Sequence, residues 1–226
     1  MSFHNLNETA GQSGAQTGAA WAARSRQLLQ TYWGYPEFRP PQLEVITCLL
    51  QGRDALVVLP TGGGKSLCFQ IPALVQPGLT VVVSPLVALM ENQVQDLRDR
   101  QLPAALLHRE LPPAQFRQTL QALAAGRLRL LYVAPETLLS PKLWAILCQP
   151  TLPVRTLVVD EAHCLAQWGE TFRPAYYRLG AIRRSLLASK PPGTQLAIAA
   201  FTATANPQTQ ATIHRILQLA DPAVFR

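Results

Sequence analysis

Two kinds of apolar pattern alternate along the chain. Short continuous runs of branched residues, Ala55–Leu59, Leu79–Leu86 up to its Ser84-Pro85, Ala104–Leu107, the apolar part of 127–139, Val154–Val159 and Gln195–Phe201, predict buried strands. Between them apolar positions recur every three or four residues, the mark of helices with one inward face. The first such helix is predicted from Trp21 to Tyr32, with Leu28, Leu29 and Tyr32 inward. A second carries Leu43, Val45, Ile46, Leu49 and Leu50, and a third opens at Leu67. The next sets Leu86, Leu89, Met90, Val94 and Leu97 against an outer face of Glu91, Asp96 and Arg98. Pro112 starts another that Gly126 ends, and a closing helix runs from Pro207 to about Leu219 on Ile213, Ile216 and Leu217.

Strands that are apolar throughout, separated by helices, predict an α/β fold, a mostly parallel sheet with helices on both faces. Ligands in such folds sit at the carboxyl ends of the strands. The loops after Leu59, Val83, Val133, Val159 and Phe201 all fall on that rim. Residues 1–20 are polar and without period, so they read as a disordered tail ahead of one domain over 21–226.

Composition narrows this picture without changing it. Of the 226 residues 48% are hydrophobic and 15% charged, a balance for a folded core. The net charge of +7, from 20 basic and 13 acidic residues, suits a polyanionic partner but does not identify one. Cys48, Cys68, Cys148 and Cys164 form no CxxC pair, so reduced thiols are expected, with no disulfide and no zinc. Neither a signal pattern nor an apolar run of about 18 residues is present. The expected location is cytoplasmic, nucleoid-associated if bacterial, with no membrane partner.

The candidate chemistry is concentrated in LPTGGGKS at 59–66, directly after a buried strand and before a helix. Thr61, Gly62, Gly63 and Gly64 allow the backbone to wrap an anion with its N–H groups inward. Lys65 adds a charge for the phosphates, and Ser66 offers a hydroxyl to Mg²⁺. The strict pattern has Gly at the first position, where this chain has Leu59. Asp160-Glu161-Ala162-His163 ends the 154–159 strand and forms a second centre. Asp160 is assigned to Mg²⁺, as Ser66 is, and Glu161 to the attacking water. With no second ligand at metal spacing, His163 is read as a relay or structural residue.

Three further segments have two readings each. Tyr35, Phe38, Arg39 and Gln42 either pack in the core or hold a base, since a Gln amide matches both the donor and the acceptor of adenine. Ser84-Pro85 is either a plain strand-to-helix turn or a contact for a nucleic-acid phosphate. Trp168, Phe172 and Arg173 either plug the core or stack on bases beside the carboxylates.

Together LPTGGGKSLCFQIPAL, VVSPLVALMENQV, LLYVAPETL, VVDEAHCLAQWG and FTATA resemble the ordered motifs of RecQ-type helicases of superfamily 2, over about residues 28–219. GYPEFRPPQ at 34–42 resembles that family's adenine segment. The resemblance implies a RecA-like P-loop domain of an ATP-dependent DNA helicase moving 3′ to 5′, with ATP and Mg²⁺ as cofactors and single-stranded and partly duplex DNA as partners. It implies adenine contacts from Gln42, Arg39 and Tyr35, and phosphate and Mg²⁺ contacts from Lys65 and Ser66. Hydrolysis falls to Asp160 and Glu161, DNA sensing to Trp168, Phe172 and Arg173, and coupling to Thr202 and Thr204. Two departures stand out: Glu170-Thr171 replaces the usual His-Asp of the aromatic loop, and Pro41 stands where the adenine segment usually has Gly. A second RecA-like domain, in cis or in trans, is implied as the source of the arginine finger. Without it the chain is expected to bind ATP weakly, hydrolyse it slowly and not unwind DNA. Rival readings are a small P-loop kinase or GTPase, an RNA helicase of the same superfamily, and a non-catalytic half-motor.

Overall fold

The computed structural model describes residues 18–167 and 174–226. Seven strands, β1 (Ala55–Val58), β2 (Leu79–Val83), β3 (Ala104–Leu107), β4 (Leu130–Val133), β5 (Val154–Val159), β6 (Ala197–Thr202) and β7 (Ala223–Phe225), form one sheet in the order β3-β4-β2-β5-β6-β1-β7. Every neighbouring pair is parallel. The fold expected from the pattern is present, a RecA-like α/β domain, with one strand more than the sequence indicated. β7 has only three residues, half-exposed, exposed and half-exposed, and exists as a strand through its ladder with β1.

Alternate strand residues feed two separate cores, as the two-residue period demands. Leu56, Val81, Val83, Leu131, Val133, Leu157 and Val159 face one side. Val57, Val82, Tyr132, Val158, Ala199 and Phe201 face the other. The second side is covered by α1 (Gly18–Trp33), α2 (Gln42–Leu50), α3 (Lys65–Val75) and α4 (Val87–Asp99). The first is covered by α5 (Pro113–Ala124), the helices Pro141–Leu147 and Ile182–Leu187, and the closing helix Pro207–Leu217. In that closing helix the Asn206 side chain accepts the Thr209 N–H at 2.8 Å, an N-cap of standard form.

Two expectations need correction. Residues 18–20, assigned to the tail, are helical and open α1, while 1–17 lie outside the described residues. Leu86, expected inward, is 49% exposed, because α4 begins only at Val87 and its apolar stripe starts with Met90.

Strand register levels the ends that matter. Val58 pairs with Thr202, Ala200 with Val159, Val159 with Val83, and Val83 with Val133. The loops that follow β1, β2, β4, β5 and β6 therefore leave one rim side by side.

Candidate active site

The phosphate loop turns where glycine permits it. Gly62 and Gly64 have φ of 80° and 71°, the left-handed region, and Gly64 caps the N-terminus of α3. A Cβ on Gly63 would lie 2.9 Å from the Pro60 carbonyl, and one on Gly64 would strike Gln42 Nε2. Thr61 is exposed, and Lys65 and Ser66 are half-buried at the head of α3. Lys65 Nζ donates to the Leu59 and Pro60 carbonyls at 3.0 and 3.3 Å, so its charge is held against the loop.

The ring segment separates into its two readings. Phe38 packs on the second core, while Tyr35, 53% exposed, and Arg39 stay at the mouth of a cleft of about 520 Å³. Gln42, Gly62, Gly64 and Ser66 also line this cleft. Gln42 is buried, and both ends of its amide already have partners. Its Oε1 accepts the Arg39 N–H at 2.9 Å, and its Nε2 donates to the Gly63 and Gly64 carbonyls at 3.1 and 3.4 Å. Sequence reasoning assigned that amide to a base edge and missed its bridge to the phosphate loop. No local pattern signals a contact between residues 21 and 22 positions apart.

At the end of β5, Asp160 is 5% exposed, and its Oδ1 accepts the Glu161 N–H at 3.0 Å. Burial, reinforced by the Glu161 carboxylate, pushes the Asp160 carboxyl up to about 6. The Glu161 N–H bond and the Lys65 ammonium pull the other way. Lys65 thus acts electrostatically on Asp160 across the rim. Glu161 has φ of +49°, a left-handed conformation unusual for a residue with a Cβ, and it turns the chain so that the Ala162 N–H reaches the Phe201 carbonyl at 2.8 Å.

His163 joins this centre to the end of β6. Its Nδ1 lies 3.1 Å from Thr202 Oγ1 and 3.3 Å from Glu161 Oε2. The Thr202 hydroxyl gives its one hydrogen to the Thr204 carbonyl at 3.0 Å, so Nδ1 must be the donor and carry the proton. Nε2 then accepts from the Cys164 thiol at 3.7 Å. His163 thus stands between the Glu161 carboxylate and the Thr202 hydroxyl. Thr202 is fully buried beside His163, whereas Thr204 is exposed.

Ser84-Pro85 forms the turn between β2 and α4. Both residues are buried, and Ser84 Oγ accepts the Leu86 N–H at 3.5 Å, which leaves Leu86 as the exposed residue of that turn. Trp168, Phe172 and Arg173 lie outside the described residues.

Among the described residues no cluster of three or more His, Cys, Asp or Glu is placed to hold a metal ion. The residues present nonetheless fit Mg²⁺ in the manner that hard cation favours, with one or two protein oxygens and the rest phosphate and water. Asp160 Oδ2 has no partner among the described residues, and burial, with the Glu161 carboxylate beside it, holds its carboxyl above the ordinary range. Ser66 Oγ stands at the head of α3, beside Lys65. No described helix is long and apolar enough to cross a membrane.

Fold and rim together define a P-loop domain whose phosphate lysine and acid pair follow strands that end on the same rim. The family model described as DEAD/DEAH box helicase matches residues 39–213, and the chain belongs to that family. It is similar in sequence to helicases named RecQ. ATP-dependent DNA helicase RecQ of Synechocystis sp. is 56% identical over 200 residues, 88% of this chain and 41% of the relative. RecQ of Haemophilus influenzae is 43% identical over 85% of this chain and 30% of its own length. The chain thus spans less than half the length of these curated relatives. In fold it is similar to the helicase MrfA solved with DNA and AMPPNP, at a TM-score of 0.72 and 15% identity over 91% of this chain and 29% of that one.

Proposed function

We propose that this chain is the ATP-binding motor domain of a RecQ-like DNA helicase, coupling hydrolysis to 3′-to-5′ movement on single-stranded DNA and to duplex unwinding when joined to a second RecA-like domain. The observation that carries the reading is the shared rim: the glycine-bent loop that heads α3 with Lys65 and Ser66 follows β1, and the buried Asp160 follows β5, on strand ends levelled by their register with β6. In this reading Tyr35 and Arg39 hold the base at the cleft mouth. Gln42 reads its edge by exchanging one of its present bonds for the ligand. Thr61 to Gly64 and Lys65 bind the phosphates. Bound Mg²⁺, held by Ser66 and Asp160, supplies charge neutralisation on the phosphates. Glu161 orients the water and takes its proton. His163 fixes the Glu161 carboxylate through its Nδ1–H and ties it to Thr202.

Trp168, Phe172, Arg173 and Thr204, with the loop at Ser84-Pro85, form the DNA-facing and coupling surface. The burial of Ser84 and Pro85 limits their part to shaping that turn. In this reading an arginine finger is supplied from a second RecA-like domain, in cis or in trans. Kinship to proteins named DNA helicases favours DNA over RNA as the partner.

ATP binding and hydrolysis by the purified chain, with and without single-stranded DNA or RNA, test this reading. Saturable ATP binding that Lys65→Ala abolishes supports it. A preference for GTP, or stimulation by RNA but not DNA, overturns it. Brisk DNA-driven turnover by this chain alone removes the need for a second domain.

A further inference from the structure

Behind the phosphate loop lies a buried polar chain that the roles above leave unused. Gln70 Nε2 donates to the Tyr132 hydroxyl at 2.9 Å, and that hydroxyl donates to Gln93 Oε1 at 3.0 Å. The three residues come from α3, β4 and α4. Tyr132 is 1% exposed and Gln70 5%. Burial pushes the Tyr132 phenol up, so it stays protonated and keeps its donor role. Packing alone does not call for this oxygen: the ring sits edge-on to Phe69, 6.4 Å between centroids, as a phenylalanine also would.

The elements it joins are the relevant ones. α3 carries Lys65 and Ser66, and Gln70 follows Ser66 by four residues, one turn along the same helix face. Gln70 and Gln93 both line the 520 Å³ cleft, each with one amide end free of partners among the described residues. α4 begins at the Ser84–Leu86 turn, and β4 runs into Ala134 to Thr137, both on the rim. The hydroxyl has one hydrogen to give and gives it to α4 while accepting from α3. A shift of α3 against either neighbour therefore strains or breaks a bond in low dielectric, where an unpaired polar group is costly.

We propose that Gln70, Tyr132 and Gln93 are positioning residues that couple occupancy of the nucleotide cleft to the nucleic-acid surface of the rim. The inference rests on the ATP and DNA reading above. Coupling is reciprocal, so it is measured as the ratio of nucleotide Kd without and with single-stranded DNA.

The test titrates a fluorescent ATP analogue into the native chain, Tyr132→Phe and Gln93→Leu, with and without a single-stranded oligonucleotide, beside Phe69→Leu. Thermal unfolding checks each fold, and Gln93→Leu, at a half-buried helix position, serves if Tyr132→Phe does not fold. The expected result is a coupling ratio reduced about threefold or more in both Tyr132→Phe and Gln93→Leu, with a near-native Kd without DNA in Tyr132→Phe, whose ring does not line the cleft. Phe69→Leu lowers the melting temperature and leaves the ratio intact. An unchanged ratio in Tyr132→Phe and Gln93→Leu overturns the proposal. So does an equal loss of affinity with and without DNA, or a native chain that binds nucleotide without any coupling. A native chain that binds no nucleotide defeats the functional reading itself, and the inference with it.

Discussion

Asp54 and Asp160 are buried to the same degree, 4% and 5% exposed, at opposite rims of one sheet. Asp54 stands just before β1. Its Oδ1 accepts the Ile198 N–H at 2.8 Å, and its Oδ2 accepts the Ala220 N–H at 2.6 Å and pairs with Arg183 Nη2. Asp160 stands just after β5 with one N–H bond, a like charge beside it and Lys65 beyond. The first carboxylate is saturated and joins β1 to the β6 start and the chain near β7. The second is under-compensated, the condition in which a carboxylate accepts a cation. Burial alone does not mark a working acid; an incomplete set of partners does.

The largest expected effect lies on the structural side. Asp54→Ala leaves Arg183 and two N–H groups unpaired and is expected to cost about 3–5 kcal/mol of stability. Chemical denaturation reads this, and nucleotide Kd should stay near native wherever the variant is folded. On the other rim, Asp160→Asn is expected to lower turnover of the assembled motor by about 10²–10³-fold, the scale for losing one preorganised charge partner.

The same substitution should act on stability with the opposite sign. The folded carboxyl titrates near 6 against an ordinary value of 3.8, so its proton stabilises the fold at low pH, and that contribution is lost as pH rises through about 6. Asp160→Asn should therefore melt higher than the native chain at pH 8, by about 2–3 kcal/mol equivalent, and nearly the same at pH 4. Equal melting differences at both pH values would remove the contrast between the two aspartates. The smallest effect belongs to Thr202→Val, which keeps the shape and deletes one of the two acceptors near His163 Nδ1–H, leaving Glu161 Oε2. A five- to tenfold fall in turnover with unchanged nucleotide Kd is expected, about the worth of one buried hydrogen bond.

Much of the framework could be read from the chain because it is locally encoded. Leu56 and Val57 face opposite cores as the strand period requires, and Gly62 to Ser66 state their turn and helix start outright. What escaped depends on distant partners. β7 has too little apolar content to declare itself and forms through β1. Asp54 looks like an ordinary polar residue until Arg183, 129 positions on, closes on it. The Gln42 bridge, the Thr202 hydroxyl under His163 and the burial of Ser84-Pro85 likewise come from packing between segments. Residues 160–163 could be grouped from sequence because residue order along one strand end places them together.

The turn at Glu161 has an implication for how this position tolerates change. With φ at +49°, glycine or asparagine would occupy it at lower conformational cost than glutamate, by an amount on the order of 1 kcal/mol. Variant libraries sorted only for heat resistance should therefore drift toward Gly or Asn at this codon, while libraries sorted for ATP consumption hold Glu. Divergence of the two enrichment profiles at a single site would record, as allele frequencies, the conflict between an easy backbone and a useful side chain.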